Sequence, residues 1–280
     1  MMMTLLAQLG LGIVLSGLIA WVAYRRGSLS RSGVAGALLV GTVIYGFGGW
    51  VWGTLLVTFF VLSSLLSHYK EAAKADLAEK FDKGQRRDLG QTLANGGAGA
   101  LLALAYWLHP GPALLAAFVG AMATVNADTW ATELGVLSRL PPRLITTWQA
   151  VERGTSGGVS GLGTLAALAG ALTIGVAALG YSALDGLFGG EGFALAGWAL
   201  LPAALLGGLA GSLFDSLLGA TVQASYYSAG RHKETEKRID PDGTPNVRRR
   251  GWRWLDNDGV NFVSSLAGAL VGVAVWWVGR

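Results

Sequence analysis

Every lysine and arginine in the chain except Arg280 lies in one of four blocks: Arg25–Arg31, Lys70–Arg87, Arg139–Arg153 and Arg231–Arg253. Long apolar stretches separate these blocks, and the gaps that alternate with them hold no cation. Nothing in a soluble fold would sort cations this way. A chain threading a bilayer does so, because loops retained in the cytoplasm keep an excess of Lys and Arg. The apolar stretches run roughly over residues 4–24, 33–45, 51–67, 93–108, 113–135, 158–179, 194–220 and 260–278. Spanning a hydrocarbon core takes about 20 helical residues, so the second is short and reads as a half-span. The fifth and seventh carry polar residues, which predicts broken or tilted helices.

The reading is an all-α, polytopic transmembrane helical bundle of about eight spans. It forms a single integral membrane domain over residues 1–280, with both termini outside and long basic loops in the cytoplasm. Only 14% of residues are charged and 52% are hydrophobic, against about 25% charged in a soluble domain. The uncharged stretch from Met1 to Ala23 precedes Arg25 and Arg26, the reverse of a signal peptide, so it reads as a retained first span in the cell (inner) membrane. The absence of cysteine excludes disulfides and thiolate metal sites. His68, His109 and His232 are scattered, and no Walker-type phosphate loop occurs. The basic ends of the loops suit anionic headgroups, and no nucleic-acid partner is expected. Lys70–Arg87 reads as an amphipathic helix, and Gln223–Asn257 as a polar loop with a turn-prone centre, DPDGTPN. Trp21, Trp50, Trp52, Trp276 and Trp277 read as an interfacial belt.

An acid inside a span costs about 2.5–3.5 kcal/mol, so it marks a functional site by default. Asp128, Glu133 and Asp215 are such acids, and the charge map places all three near the cytoplasmic ends of spans five and seven. Asn126, Thr129 and Thr132 accompany the first two. Ser212, Asp215, Ser216 and Gly219 form one helical stripe, as do Asp258, Asn261 and Ser265, and Asp88, Gln91 and Asn95. Asp88 and Asp258 suit helix caps as well as a site. Between these helices lies ERGTSGGVSGLGT, Glu152 to Thr164. Its glycines and the start of span six would let a phosphate approach backbone N–H groups. Gly157 with Gly161, and Gly207 with Gly211, also read as helix-packing pairs. Carboxylates beside a phosphate loop suit Mg²⁺, which binds one or two carboxylates plus substrate phosphates.

At NADTWATELG, RGTSGGVSGLGT, GSLFDSLLGA and NDGVNFVSS, the chain resembles the membrane family known as domain-of-unknown-function family 92. Its best characterised members are plant phytyl-phosphate kinases of tocopherol and phylloquinone synthesis. The resemblance covers nearly the whole chain and extends distantly to CTP-using membrane enzymes such as dolichol kinase. It implies Mg²⁺-dependent phosphoryl transfer from CTP or another NTP to a prenyl monophosphate on the cytoplasmic face. On that reading Asp128, Asp215, Thr132 and Glu133 form the catalytic centre. Asp128, Asp215 and Asp258 hold metal. Arg153, Gly154, Thr155, Ser156, Gly157 and Gly158, with Asn126 and Asn261, hold nucleotide and phosphate. The rival readings are a transporter or scramblase for a phosphorylated lipid, and a cytidylyltransferase-like enzyme.

Overall fold

The computed structural model describes residues 2–69, 86–188, 192–240 and 242–280. Eight helices occur among them: α1 (Met2–Arg25), α2 (Arg31–Gly48), α3 (Trp50–His68), α4 (Leu89–Leu108), α5 (Pro112–Gly135), α6 (Gly161–Leu187), α7 (Gly192–Thr221) and α8 (Asn257–Val278). Seven are long and apolar enough to cross a membrane. The other, α4, has the length but carries Gln91, Asn95 and four glycines, which dilute its apolar character. The second span is not a half-span. Ser30 caps α2 by accepting from Gly33 N (3.1 Å), so the helix begins at Arg31 and runs for 18 residues. Of the broken or tilted helices expected in spans five and seven, neither is broken, and α7 continues through Pro202. The amphipathic helix expected over Lys70–Arg87 falls on residues 70–85, outside those described.

Helix α5 is the axis of the molecule and packs against α3, α4, α6, α7 and α8. Every residue from Leu115 to Ala127 on it is buried, because ALLAAFVGAMATVNA is small or apolar all round. Three glycines, Gly120 of α5, Gly207 of α7 and Gly268 of α8, meet with no room for a side chain between them. Just below, Thr124 donates its hydroxyl to the carbonyls of Gly120 (2.9 Å) and Gly207 (3.0 Å). Small residues thus bring three backbones into direct contact, which is how helices associate where no hydrophobic force separates protein from lipid. Helix α1 packs on α2, and α2 on α4. The outward leucines of α1, such as Leu6, Leu11 and Leu18, are exposed, as a lipid-facing helix requires.

Two of the five belt tryptophans have another role. Trp52 is buried and stacks on Phe118 at 4.2 Å, filling the core. The Trp50 indole donates to Asp185 (2.7 Å), tying α3 to the end of α6. Trp21 and Trp277 are exposed as expected.

The polar loop between α7 and α8 is a small antiparallel sheet. Strands β3 (Ser225–Ser228), β4 (Lys233–Thr235) and β5 (Val247–Arg250) lie in the order β4-β3-β5. A further pair, β1 (Arg143–Leu144) and β2 (Gly158–Val159), joins the α5–α6 connection to the glycine loop. In the larger sheet Asp240 gathers Ser228 (2.5 Å), Asn246 (3.1 Å) and Arg231. These partners hold its carboxyl down at about 2, against the effect of burial.

Candidate active site

One end of the bundle encloses a cavity of about 550 Å³. The last turns of α3, α5 and α7 reach it with Ser67, with Asp128 to Gly135, and with Ser212 to Gly219. The first turns of α4, α6 and α8 reach it with Gln91 and Asn95, with Gly163 and Thr164, and with Asn257 to Asn261. The glycine loop forms one wall, and Gln223, Tyr226, Glu236 and Arg238 from the sheet region another.

Three helix N-termini therefore point at one space. Each is closed by a side chain. Asp88 and Gln91 form a capping box on α4, Ser160 accepts from Gly163 N (3.1 Å) on α6, and Asp256 accepts from Gly259 N (3.1 Å) on α8. Asp88 is thus a cap. Asp258 belongs to the first turn of α8 and is not its cap. The converging dipoles favour anions in the cavity.

Of the residues singled out from sequence, Asp128, Thr132, Glu133, Arg153, Gly154, Thr155, Ser156, Gly157, Gly158, Asp215, Asp258 and Asn261 all line this cavity. Asn126 does not. It is wholly buried, donates to the Gly170 carbonyl (2.8 Å) and accepts from Ser63 (3.3 Å). Its amide pins α5 to α6 and α3, so it is structural and not a nucleotide ligand.

Asp128 lies beside Ser212, and Asp215 beside Ser264. Asp215 Oδ2 and Ser264 Oγ are buried and have no hydrogen-bond partner among the described residues. A buried oxygen without a partner costs about 1–3 kcal/mol, more when charged, so the two either turn to each other or take a ligand from the cavity. The lining as a whole carries six carboxylates (Asp128, Glu133, Asp215, Glu236, Asp256, Asp258) against three arginines (Arg87, Arg153, Arg238). That excess of acid opposes the helix dipoles, and a bound cation would offset it. Asp258 does not join Asp128 and Asp215: among the described residues no three acidic, histidine or cysteine side chains gather as a metal-binding group. Asp258 reaches the cavity from the first turn of a third helix, α8. The two-carboxylate pair fits Mg²⁺, whose remaining ligands come from substrate and water.

The glycine loop is held from behind. Arg250 of β5 donates to the Ser156 carbonyl (3.0 Å) and to the Ala220 carbonyl at the end of α7 (2.9 Å). Ser156 Oγ donates to Glu236 (2.8 Å), which also accepts from Gln223 (2.8 Å). The Ser156 hydroxyl expected to meet phosphate is thus turned to the sheet. Gly154 and Gly157 adopt left-handed conformations, with φ of 78° and 84°. A Cβ on Gly157 would lie 2.5 Å from Ala220 N. Gly157 therefore precedes the helix and packs against α7, so it makes no helix-packing pair with Gly161, which faces open space. Gly207 and Gly211 do pack, against α8 and Thr124.

Several lining residues escape the sequence reading. Glu236, Gln223 and Arg238 lie in a stretch whose polarity a headgroup-facing loop would explain equally well. Ser264, which lies behind the lining next to Asp215, is one of two adjacent serines in an apolar helix, one position off the polar stripe. Arg87 is one cation in a basic block. Its backbone pairs with the α1–α2 turn, donating to Ser28 O (3.0 Å) and accepting from Ser30 N (3.0 Å). That leaves its guanidinium over Phe59 and Phe60, with ring centroids 5.5 and 5.4 Å away. Burial lowers its pKa to about 10, against the opposing charge of Glu133. Glu133 itself accepts from Ser67 (2.7 Å).

A bundle of apolar helices with carboxylates, helix N-termini and a glycine loop around one terminal cavity defines a polytopic membrane protein with a polar site. The chain belongs to the family of integral membrane proteins DUF92, whose profile matches residues 14–269. It is 38% identical to Protein PGR of Arabidopsis thaliana over 272 residues, 91% of each chain. It is 32% identical over 274 residues to the membrane protein MJ0933 of Methanocaldococcus jannaschii, covering 98% of this chain and 97% of that one. To the chloroplastic Protein VTE6 of Arabidopsis thaliana it is 26% identical over 257 residues, 88% of this chain and 64% of the relative. No solved structure matches it.

Proposed function

We propose that the cavity is the active site of a kinase that transfers a phosphoryl group from CTP or another NTP to a prenyl monophosphate. The observation that carries this reading is the meeting of Asp128 from α5 and Asp215 from α7 in one cavity whose acids outnumber its arginines. Family membership and the resemblance to prenyl-phosphate kinases support it. An oxygen of the prenyl phosphate attacks the γ-phosphorus. The bond from that phosphorus to the β–γ bridging oxygen breaks, and the nucleoside diphosphate leaves with the electron pair. The acceptor oxygen is already anionic, so no strong general base is needed. Asp128 and Asp215 would hold Mg²⁺, which supplies charge neutralisation for the phosphates when bound. Arg153 and the loop from Gly154 to Gly158 orient the nucleotide phosphates. Thr132, Glu133, Asp258 and Asn261 line the same cavity.

The test is a panel assay. Purified protein is incubated with Mg²⁺, each NTP, and phytyl, geranylgeranyl, farnesyl or undecaprenyl phosphate, and products are read by mass. Conversion of at least one acceptor to its diphosphate, with matching nucleoside diphosphate, is the expected result. Failure with every acceptor overturns the proposal. Nucleotide-independent movement of a phosphorylated lipid between vesicle leaflets would put a transporter in its place.

The orientation that accompanies this reading puts the cavity in the cytoplasm, on the strength of the one-sided Lys and Arg distribution. The chain has no cysteine, so single cysteines report without background. Phe188 and Ala229 are both exposed. Phe188→Cys is expected to react with an impermeant thiol reagent outside intact cells, and Ala229→Cys only after lysis. The opposite pattern reverses the orientation.

A further inference from the structure

A second space adjoins the first. It has a volume of about 600 Å³ and lies between α1, α2, α3 and α4. Its walls are residues such as Ile19, Ala37, Val40, Val57 and Leu62. Arg87, Gln91 and Asn95 line both spaces, so the apolar groove opens into the polar cavity through them. Along α3 the groove runs from Leu62 to Gly53, which at the helical rise is about 14 Å. Midway along it Tyr181 of α6 also lines it, hydrogen-bonded to Thr58 (3.0 Å).

Arg87 guards the junction. Its Nη1 is buried with no hydrogen-bond partner among the described residues. A guanidinium over two phenylalanine rings, near Glu133 yet with one donor unmet, suits an oxyanion at the end of an apolar chain. Water alone would not favour an apolar groove of this size, and a soluble nucleotide has nothing to place in it.

We infer that this groove holds the hydrocarbon chain of the lipid acceptor, with its phosphate turned through the Arg87–Gln91–Asn95 junction into the cavity. This rests on the kinase reading for what happens next, but not for the binding itself. The groove then acts as a ruler. Its filled length selects among isoprenoid chains, and narrowing it penalises long chains more than short ones.

Two measurements test this. In the first, the protein is irradiated with farnesyl phosphate and geranylgeranyl phosphate carrying a terminal diazirine, and adducts are mapped by mass spectrometry. Adducts are expected on the α1–α3 walls, between Leu15 and Leu62. Adducts elsewhere, or adducts that excess unlabelled lipid phosphate does not suppress, overturn the inference. This readout needs no turnover, so it stands even if the panel assay detects no kinase. In the second, Thr54→Phe and Val57→Phe, on the side of the groove away from Arg87, are compared with the parent. Each is expected to cut kcat/KM for geranylgeranyl phosphate by about tenfold or more while largely sparing geranyl phosphate, because the lost contact is apolar area near the tail. An equal effect on both chain lengths, or none on either, overturns the inference. If the parent turns over neither lipid, the same comparison is made on crosslinking yield.

Discussion

Asp128→Asn and Asp215→Asn are each expected to abolish turnover while leaving the protein folded in the membrane. The two carboxylates reach one cavity from different helices, and neither faces a basic side chain within its span. Two negative charges in a poorly solvated space repel each other unless a cation lies between them. Asn keeps the shape and removes one charge, so the metal-free variant should melt no lower than the parent. What it loses is the cation. Groups aimed at the charge of a transition state are worth roughly 10²–10³ in kcat each, and a metal ligand belongs at the upper end or beyond. The parent should be stabilised by added Mg²⁺, by about 2.7 kcal/mol at a hundredfold excess over Kd. Each Asn variant should lose most of that shift. Thermal melts with and without Mg²⁺, beside the kinase assay, measure both. Full activity in either variant removes that residue from the site, and full activity in both leaves the proposal without its centre.

Gly157→Val should be nearly as damaging, for a different reason. Gly157 has φ of 84°, and its missing Cβ would lie 2.5 Å from Ala220 N. The left-handed conformation costs a residue with a side chain about 1–2 kcal/mol, and overpacking costs about 1–3 kcal/mol more. The helices do not depend on this contact, so the bundle should insert normally. The loop should leave its seat, and activity should fall by roughly two orders of magnitude, the scale of a lost positioning element. Gly161→Ala is the control, because nothing lies within 4 Å of the Cβ it would add. If Gly157→Val keeps parental Michaelis constants for both substrates, the loop does not hold phosphate.

The parts of this structure legible from sequence are those the bilayer enforces. Cations in alternate gaps delimit eight helices, because a charge cannot be left in hydrocarbon. Asp128 and Asp215 stand out for the same reason. The same logic misleads at Asn126, since a polar residue in a span signals a need for partners but not whether they are ligand or protein. Here they are Gly170 and Ser63. It misleads at Trp52, where ring size suits the core against Phe118 as well as an interface. The β3–β5 sheet is not legible, because strands of three or four residues show too little alternation to be told from loop. Arg87 is illegible because its setting is built from the α1–α2 turn and α3, both distant in sequence.

Arg250 carries a consequence for how the site is kept in shape. It lies on β5 opposite Ser225, where the pairing is interrupted by an irregularity before Tyr226. From there its guanidinium reaches both the glycine loop and the end of α7. Side chains alternate faces along a strand, so a slip of one residue in β5 would turn Arg250 to the opposite face. The alignment of a loop beside the membrane is thus inherited from the register of a ribbon outside it. Insertions in the turns of that ribbon leave the register intact. A single residue gained or lost within β5 reaches the cavity wall without altering any residue that lines it.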